Sequence, residues 1–129
     1  MAGEQILIVE DNEKNMKLFR DVLHATGYRT LEAPTAGQAL TLAMNHRPAL
    51  VLMDIRLPDM SGVEALRLLR VDERTADIPV VAVTAQAMEG DRARFIEAGF
   101  DGYVSKPVDI DAFLATVEQQ CRPNPQIRR

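Results

Sequence analysis

A chain of 129 residues is long enough for one domain with a real core and too short for a second. Its formal charge of −4, from 15 Lys and Arg against 19 Asp and Glu, and its lack of Trp or of a basic run interleaved with aromatics argue against a nucleic-acid surface, the paired Arg128 and Arg129 being a weak signal. No apolar run approaches the ~18 residues of a membrane span, MAGEQILIVE lacks the basic start of a signal peptide, and a single cysteine, Cys121, reads as an ordinary thiol near the chain end in a reducing cytoplasm.

The apolar pattern changes period repeatedly along the chain. Gln5-Ile6-Leu7-Ile8-Val9 is a short β-branched run and predicts a buried strand. Asn12 to Ala25 predicts a helix with Met16, Phe19, Val22 and Leu23 on one face, capped by Asp11 or Asn12 and stopped by Gly27. Arg29 to Glu32 is a second strand. Thr35-Ala36-Gly37-Gln38 has the form of a capping box, and Ala36, Ala39, Leu40 and Ala43 carry a helix on towards Pro48.

Ala49 to Met53 predicts the third strand. Ser61-Gly62-Val63-Glu64 is a second capping box, followed by Val63, Leu66 and Leu69 at helical spacing. Pro79 to Val83 predicts a fourth strand, with proline at its start where a lost donor matters least. Ala87 to Ala98 predicts a helix with a thin apolar face, a costly internal glycine at Gly90 and a stop at Gly99. Gly102 to Val104 is a brief fifth strand. Ile110, Phe113, Leu114 and Val117 mark a last helix capped by Asp109, and CRPNPQIRR from Cys121 onward reads as a frayed polar tail.

Five strands alternating with five helices predict an α/β fold: a three-layer, doubly wound, five-stranded parallel sheet built from right-handed crossovers, in the flavodoxin-like order 2-1-3-4-5. In such sheets function gathers at the carboxyl ends of the strands. Glu10 and Asp11 follow the first strand, Asp54 the third, Thr84 the fourth, and Ser105 and Lys106 the fifth. Singly, these are ordinary helix caps and surface charges, except Asp54, which interrupts an apolar stretch. Together they bring three carboxylates, a hydroxyl and an ammonium to one edge.

Three neighbouring carboxylates repel and raise at least one pKa unless a cation shares the site. All-oxygen donors without His or Cys favour a hard ion such as Mg²⁺ over zinc. A carboxylate left free beside it is a competent nucleophile for an aspartyl-phosphate, with Thr84 and Lys106 placed for the phosphoryl oxygens. The chemistry is that of a phosphoryl acceptor.

These motifs carry a resemblance. VEDN after the first strand, LMDIRLPDMSG after the third, VVAVTA after the fourth and YVSKP after the fifth together resemble the receiver domain of bacterial two-component response regulators, over about Gln5 to Gln120. The phrases VEDNEKNMKLF and IPVVAVTAQAM are most similar to its single-domain, cell-division branch. The resemblance implies residues 1–122 as the receiver and 123–129 as a short flexible tail. It implies a phosphoryl group accepted on Asp54 from a histidine kinase or a histidine phosphotransfer protein. Mg²⁺, with Mn²⁺ as a substitute, would be held by Glu10, Asp11, Asp54 and the backbone carbonyl of Arg56.

By the same resemblance Thr84 and Lys106 stabilise the phosphate, and the Lys106–Pro107 bond is cis, as proline permits. Tyr103 stands at the aromatic switch position coupled to Thr84, although an ordinary amphipathic core tyrosine reads the same way. Arg56 and Gln86 flank the approach of hydrolytic water and modulate the phosphate's lifetime. The implied protein is no enzyme beyond its own Mg²⁺-dependent phosphorylation and dephosphorylation. It is a cytoplasmic stand-alone regulator, monomeric or weakly dimeric when phosphorylated, that contacts neither nucleic acid nor membrane. Output passes by protein contact over the face of the fourth helix, fifth strand and fifth helix, in cell-cycle or cell-division control.

Two rival classes share parts of this pattern. A flavodoxin-type carrier needs a Ser/Thr/Gly-rich phosphate loop where this chain has Glu10-Asp11-Asn12-Glu13. A haloacid-dehalogenase-type phosphatase resembles D-x-D, whereas Arg56 occupies the second position here. A pseudo-receiver that only binds partners is the remaining alternative, and the full set of site residues counts against it.

Overall fold

The structure, a computed structural model, describes residues 3–85 and 91–121. Its elements are β1 (Gln5–Val9), α1 (Glu13–Ala25), β2 (Arg29–Ala33), α2 (Ala36–His46), β3 (Leu50–Asp54), α3 (Gly62–Val71), β4 (Val80–Thr84), α4 (Asp91–Ala98), β5 (Gly102–Ser105) and α5 (Ile110–Cys121). The sheet runs β2-β1-β3-β4-β5 with every neighbouring pair parallel, as the alternation of strand and helix predicts. The expected tail, the first residues of the expected fourth helix and Gln86 lie outside the described residues.

Period-two alternation divides the core in two. Leu7, Val9, Val51, Met53, Val80 and Ala82 face α2, α3 and α4. Ile6, Ile8, Leu50, Leu52, Val81 and Val83 face α1 and α5. Since β1, β3 and β4 are covered on both sides, their sequences are continuous apolar runs rather than alternating ones. The first flank admits small residues: Ala36, Ala39 and Ala43 bring α2 close to the sheet. The second is filled by large ones, with Phe19 of α1 stacked on Phe113 of α5 at 5.2 Å between ring centroids.

The helix starts follow the capping chemistry. Of the two candidates for α1, Asn12 is the cap, its Oδ1 accepting from the Asn15 N–H. Thr35, Ser61 and Asp109 cap α2, α3 and α5 as expected. Gly27 adopts φ of +95° in the turn after α1, a conformation that favours glycine.

Four expectations shift. Asp54 and Thr84 do not follow β3 and β4 but end them, because the ladder continues through the Ile55 N–H to the Val83 carbonyl and the Lys106 N–H to the Thr84 carbonyl. Val63 is exposed: Gly62, Ala65, Leu66 and Leu69 form the buried stripe of α3, which leaves Val63 on its rim. Cys121 is not in a frayed tail but is the buried last residue of α5.

Candidate functional site

β1 and β3 pair with Ile8 opposite Leu52 and Val9 opposite Met53. Continuing that register by one residue sets Glu10 opposite Asp54, which is why two acids distant in sequence meet. Both are buried, at 2% and 5% exposure, while Asp11 at the rim is exposed. Carboxylate oxygens of Glu10, Asp11 and Asp54 all lie within 4.8 Å of one another. Lys106, just beyond β5, reaches across with its Nζ 3.0 Å from Glu10 Oε1 and 3.3 Å from Asp54 Oδ2.

Each oxygen of Asp54 has its own donor. The Arg56 N–H donates to Oδ1 at 3.1 Å and Lys106 Nζ to Oδ2 at 3.3 Å, which fixes the plane of the carboxylate. Glu10 is held differently. Its Oε2 accepts from the Asn12 N–H at 3.1 Å, but Oε1 meets Lys106 by charge without the angles of a hydrogen bond. A buried carboxylate oxygen thus rests on its ion pair with Lys106 and keeps lone-pair capacity for a further cation.

Burial raises the Glu10 pKa above its ordinary value; the Lys106 contact opposes this, and the nearby Asp54 charge adds to the rise. Burial alone would lower Lys106, but its contacts with Glu10 and then Asp54 outweigh it, so its pKa is raised. One ammonium cannot neutralise three carboxylates, two of them buried. An all-oxygen donor set, with a buried oxygen that keeps lone-pair capacity beside its ion pair, fits a hard divalent cation.

The remaining expected residues lie at the same edge. Thr84 is buried at the end of β4, in register with Ser105. Tyr103 on β5 is half-buried and stacks on Phe95 of α4, with ring centroids 5.6 Å apart, so it joins the sheet to α4. Arg56 is exposed and bridges to Ser61 across the loop after β3. The Lys106–Pro107 bond is cis.

That loop turns back tightly. The Gly62 N–H donates to the Ile55 carbonyl at 2.8 Å, and a Cβ on Gly62 would stand 2.5 Å from the Asp54 carbonyl oxygen. Only glycine fits without moving the backbone that carries Asp54. Sequence reading passed over two residues nearby. Asp59 accepts from the Ala36 and Gly37 N–H groups at the start of α2, which holds its carboxyl below the usual range. Arg70 bonds the Ala76, Ile78 and Gly99 carbonyls and Asp101, tying α3 to the end of α4 and the approach to β5. Both act over long sequence separations and leave no periodic signal; an acid after Pro58 reads simply as a turn residue.

With this geometry in place, the family is decided: residues 6–118 match the response regulator receiver domain, and the chain belongs to that family. The chain is 48% identical over 115 residues to the polar-differentiation response regulator DivK of Brucella anthropi, spanning 89% of this chain and 94% of that protein, and is matched equally by DivK of Brucella abortus. Among solved structures it is similar to the receiver domain of a sensor histidine kinase from Pseudomonas aeruginosa, at 34% identity and a TM-score of 0.85, over 93% of this chain and 98% of that one. In that crystal structure a magnesium ion is coordinated in the active-site cleft. A CheY-like receiver from Methanospirillum hungatei, 30% identical with a TM-score of 0.83, covers 93% and 94% of the two chains.

Proposed function

We propose that this response regulator accepts a phosphoryl group on Asp54 from a histidine kinase or a histidine phosphotransfer protein and signals through phosphorylation-dependent protein contacts. The observation that carries the reading is a buried Asp54 held at both oxygens, beside Lys106 and within 4.8 Å of two further carboxylates. Glu10, Asp11, Asp54 and the Arg56 carbonyl would hold Mg²⁺, which when bound offsets the negative charge of the acids and of the incoming phosphoryl oxygens. Mn²⁺, of similar oxygen preference, would substitute.

In the transfer, an Asp54 carboxylate oxygen forms the O–P bond as the P–N bond to the donor histidine breaks, and the bonding pair returns to the imidazole nitrogen, which takes up a proton. Lys106 then exchanges part of its contact with Glu10 and Asp54 for a phosphoryl oxygen, and the Thr84 hydroxyl donates to another. Thr84 and Tyr103 form the switch: Tyr103 already packs on Phe95, so a shift of its ring is transmitted to α4. Arg56 and Gln86 set the phosphate's lifetime.

Output passes over the face of α4, β5 and α5, from a monomer or a weak phosphorylation-dependent dimer in the cytoplasm. Among the described residues no helix is long and apolar enough to cross a membrane. The name of the Brucella relatives, polar-differentiation regulators, supports a role in cell-cycle or cell-division control. Incubation with Mg²⁺ and acetyl phosphate tests the chemistry. Acid-stable, hydroxylamine-labile labelling that disappears in Asp54→Asn is expected. Absence of labelling from every donor, with partner binding retained, would replace this reading by that of a pseudo-receiver.

A further inference from the structure

Asp59 sits at the apex of the loop between β3 and α3, three residues beyond Arg56. Its two oxygens take the Ala36 and Gly37 N–H groups, each at 2.9 Å. A helix start leaves several such donors without partners inside the helix. In α2 the local cap, Thr35, satisfies Gln38 at 3.2 Å, and a residue 23 positions further on satisfies Ala36. The loop itself is a small closed ring: Arg56 bridges to Ser61, and the Gly62 N–H bonds the Ile55 carbonyl. Movement of its apex is therefore passed to the base, where the Arg56 N–H holds Asp54 Oδ1.

We infer that Asp59 is a positioning residue that straps the Asp54–Arg56 segment to the start of α2, so that cation binding at the acidic edge and order in the first turn of α2 are coupled. The coupling rests on the proposed metal site, and it is reciprocal: what tightens one end tightens the other by the same factor. Replacing a group that orients a metal site indirectly weakens binding typically by tenfold or more. Thr35 supplies the control, because it caps the same helix and, among the described residues, its side chain bonds the Gln38 N–H rather than the β3–α3 loop.

The test compares wild type, Asp59→Ala, Asp59→Asn and Thr35→Ala by Mg²⁺ titration calorimetry and by amide hydrogen exchange without metal. Asp59→Ala is expected to bind Mg²⁺ roughly tenfold more weakly and to exchange faster at Arg56 and Gly62. Asp59→Asn, which keeps one acceptor and the shape, should fall between it and wild type. Thr35→Ala should speed exchange at Gln38 yet leave Arg56, Gly62 and, within about twofold, Mg²⁺ affinity unchanged. Mg²⁺ added to wild type should slow exchange at Ala36 and Gly37. Wild-type exchange at Arg56 and Gly62 in Asp59→Ala, or an equal loosening there in Thr35→Ala, overturns the strap. If wild type binds no Mg²⁺, the proposed metal site and the coupling both fall, while exchange in the metal-free variants still decides whether Asp59 positions the loop.

Discussion

The two flanks of the sheet are built to different standards. On the α1/α5 flank, Ile6, Ile8, Leu50, Leu52, Val81 and Val83 meet Phe19, Leu23, Phe113 and Val117, and two stacked rings close the layer. On the opposite flank α2 and α3 are well anchored by alanines and leucines, but among the described side chains of α4 only Phe95 is buried, and Ile96 is 45% exposed. Glu10 and Asp54 continue the side-chain parity of the densely filled flank. Tyr103 packs instead against Phe95, on the thinly anchored α4 part of the other flank. The proposed acceptor Asp54 and its neighbour Glu10 are thus mounted where displacement is costly, and the aromatic proposed to report their state sits where displacement is cheap.

The contrast can be broken most severely at Phe113. Phe113→Ala should lower global stability by about 3–5 kcal/mol in urea unfolding, with β1 and β3 losing exchange protection together. A loss below about 1 kcal/mol would show that the stacked pair is not what holds that flank. Next in size is Arg70→Met, which keeps the stem but strands the Ala76, Ile78 and Gly99 carbonyls and leaves Asp101 only its bond from the Val80 N–H among those described. It should cost about 1–3 kcal/mol and loosen the end of α4 first.

Phe95→Leu probes the thin anchoring of α4 directly. Its effect should be local: amides of Arg94 to Ala98 exchange roughly tenfold faster, equivalent to ~1.4 kcal/mol, while β1 and β3 keep wild-type protection. Equal acceleration across the sheet would erase the distinction between the flanks. The smallest effect is electrostatic. Asp72, at the end of α3, is pulled down to about 2 by its hydrogen bonds with the Arg74 side chain and backbone. A depressed acid stabilises the fold above its ordinary value of 3.8, and that contribution disappears as pH falls through about 2. Asp72→Asn should therefore be slightly less stable than wild type above pH 3.8, lose the slope between 3.8 and about 2, and converge with wild type below it, as urea unfolding across pH would show.

How much of this is legible in the sequence depends on the kind of force involved. Buried parallel strands must be apolar throughout, so β1, β3 and β4 stand out as unbroken runs, and the acids that end those runs advertise the site. Capping is equally readable, because Thr35, Ser61 and Asp109 act within three residues. Strand ends are harder: whether Asp54 and Thr84 belong to the ladder depends on neighbouring strands, not on their own residue type. Val63 misleads because a helix's buried stripe is set by what it packs on, and Gly62 and Ala65 allow a closer approach than a valine face would. Asp59 and Arg70 are invisible for a different reason. Each reaches backbone at least 20 residues away, Asp59 the Ala36 and Gly37 N–H groups and Arg70 the Gly99 carbonyl, and such polar contacts have no period to detect.

The ring after β3 also has a consequence for inheritance and engineering. Asp54 and Gly62 are pinned at both ends, since the chain leaving the strand returns to touch its own backbone. What is constrained is the number of residues between them. Side-chain exchange at Leu57, Pro58 and Met60 should be milder than a change of length, since one residue more or fewer would move Gly62 out of the gap and shift Asp54 with it. Length, more than side-chain identity, is therefore what this segment must keep.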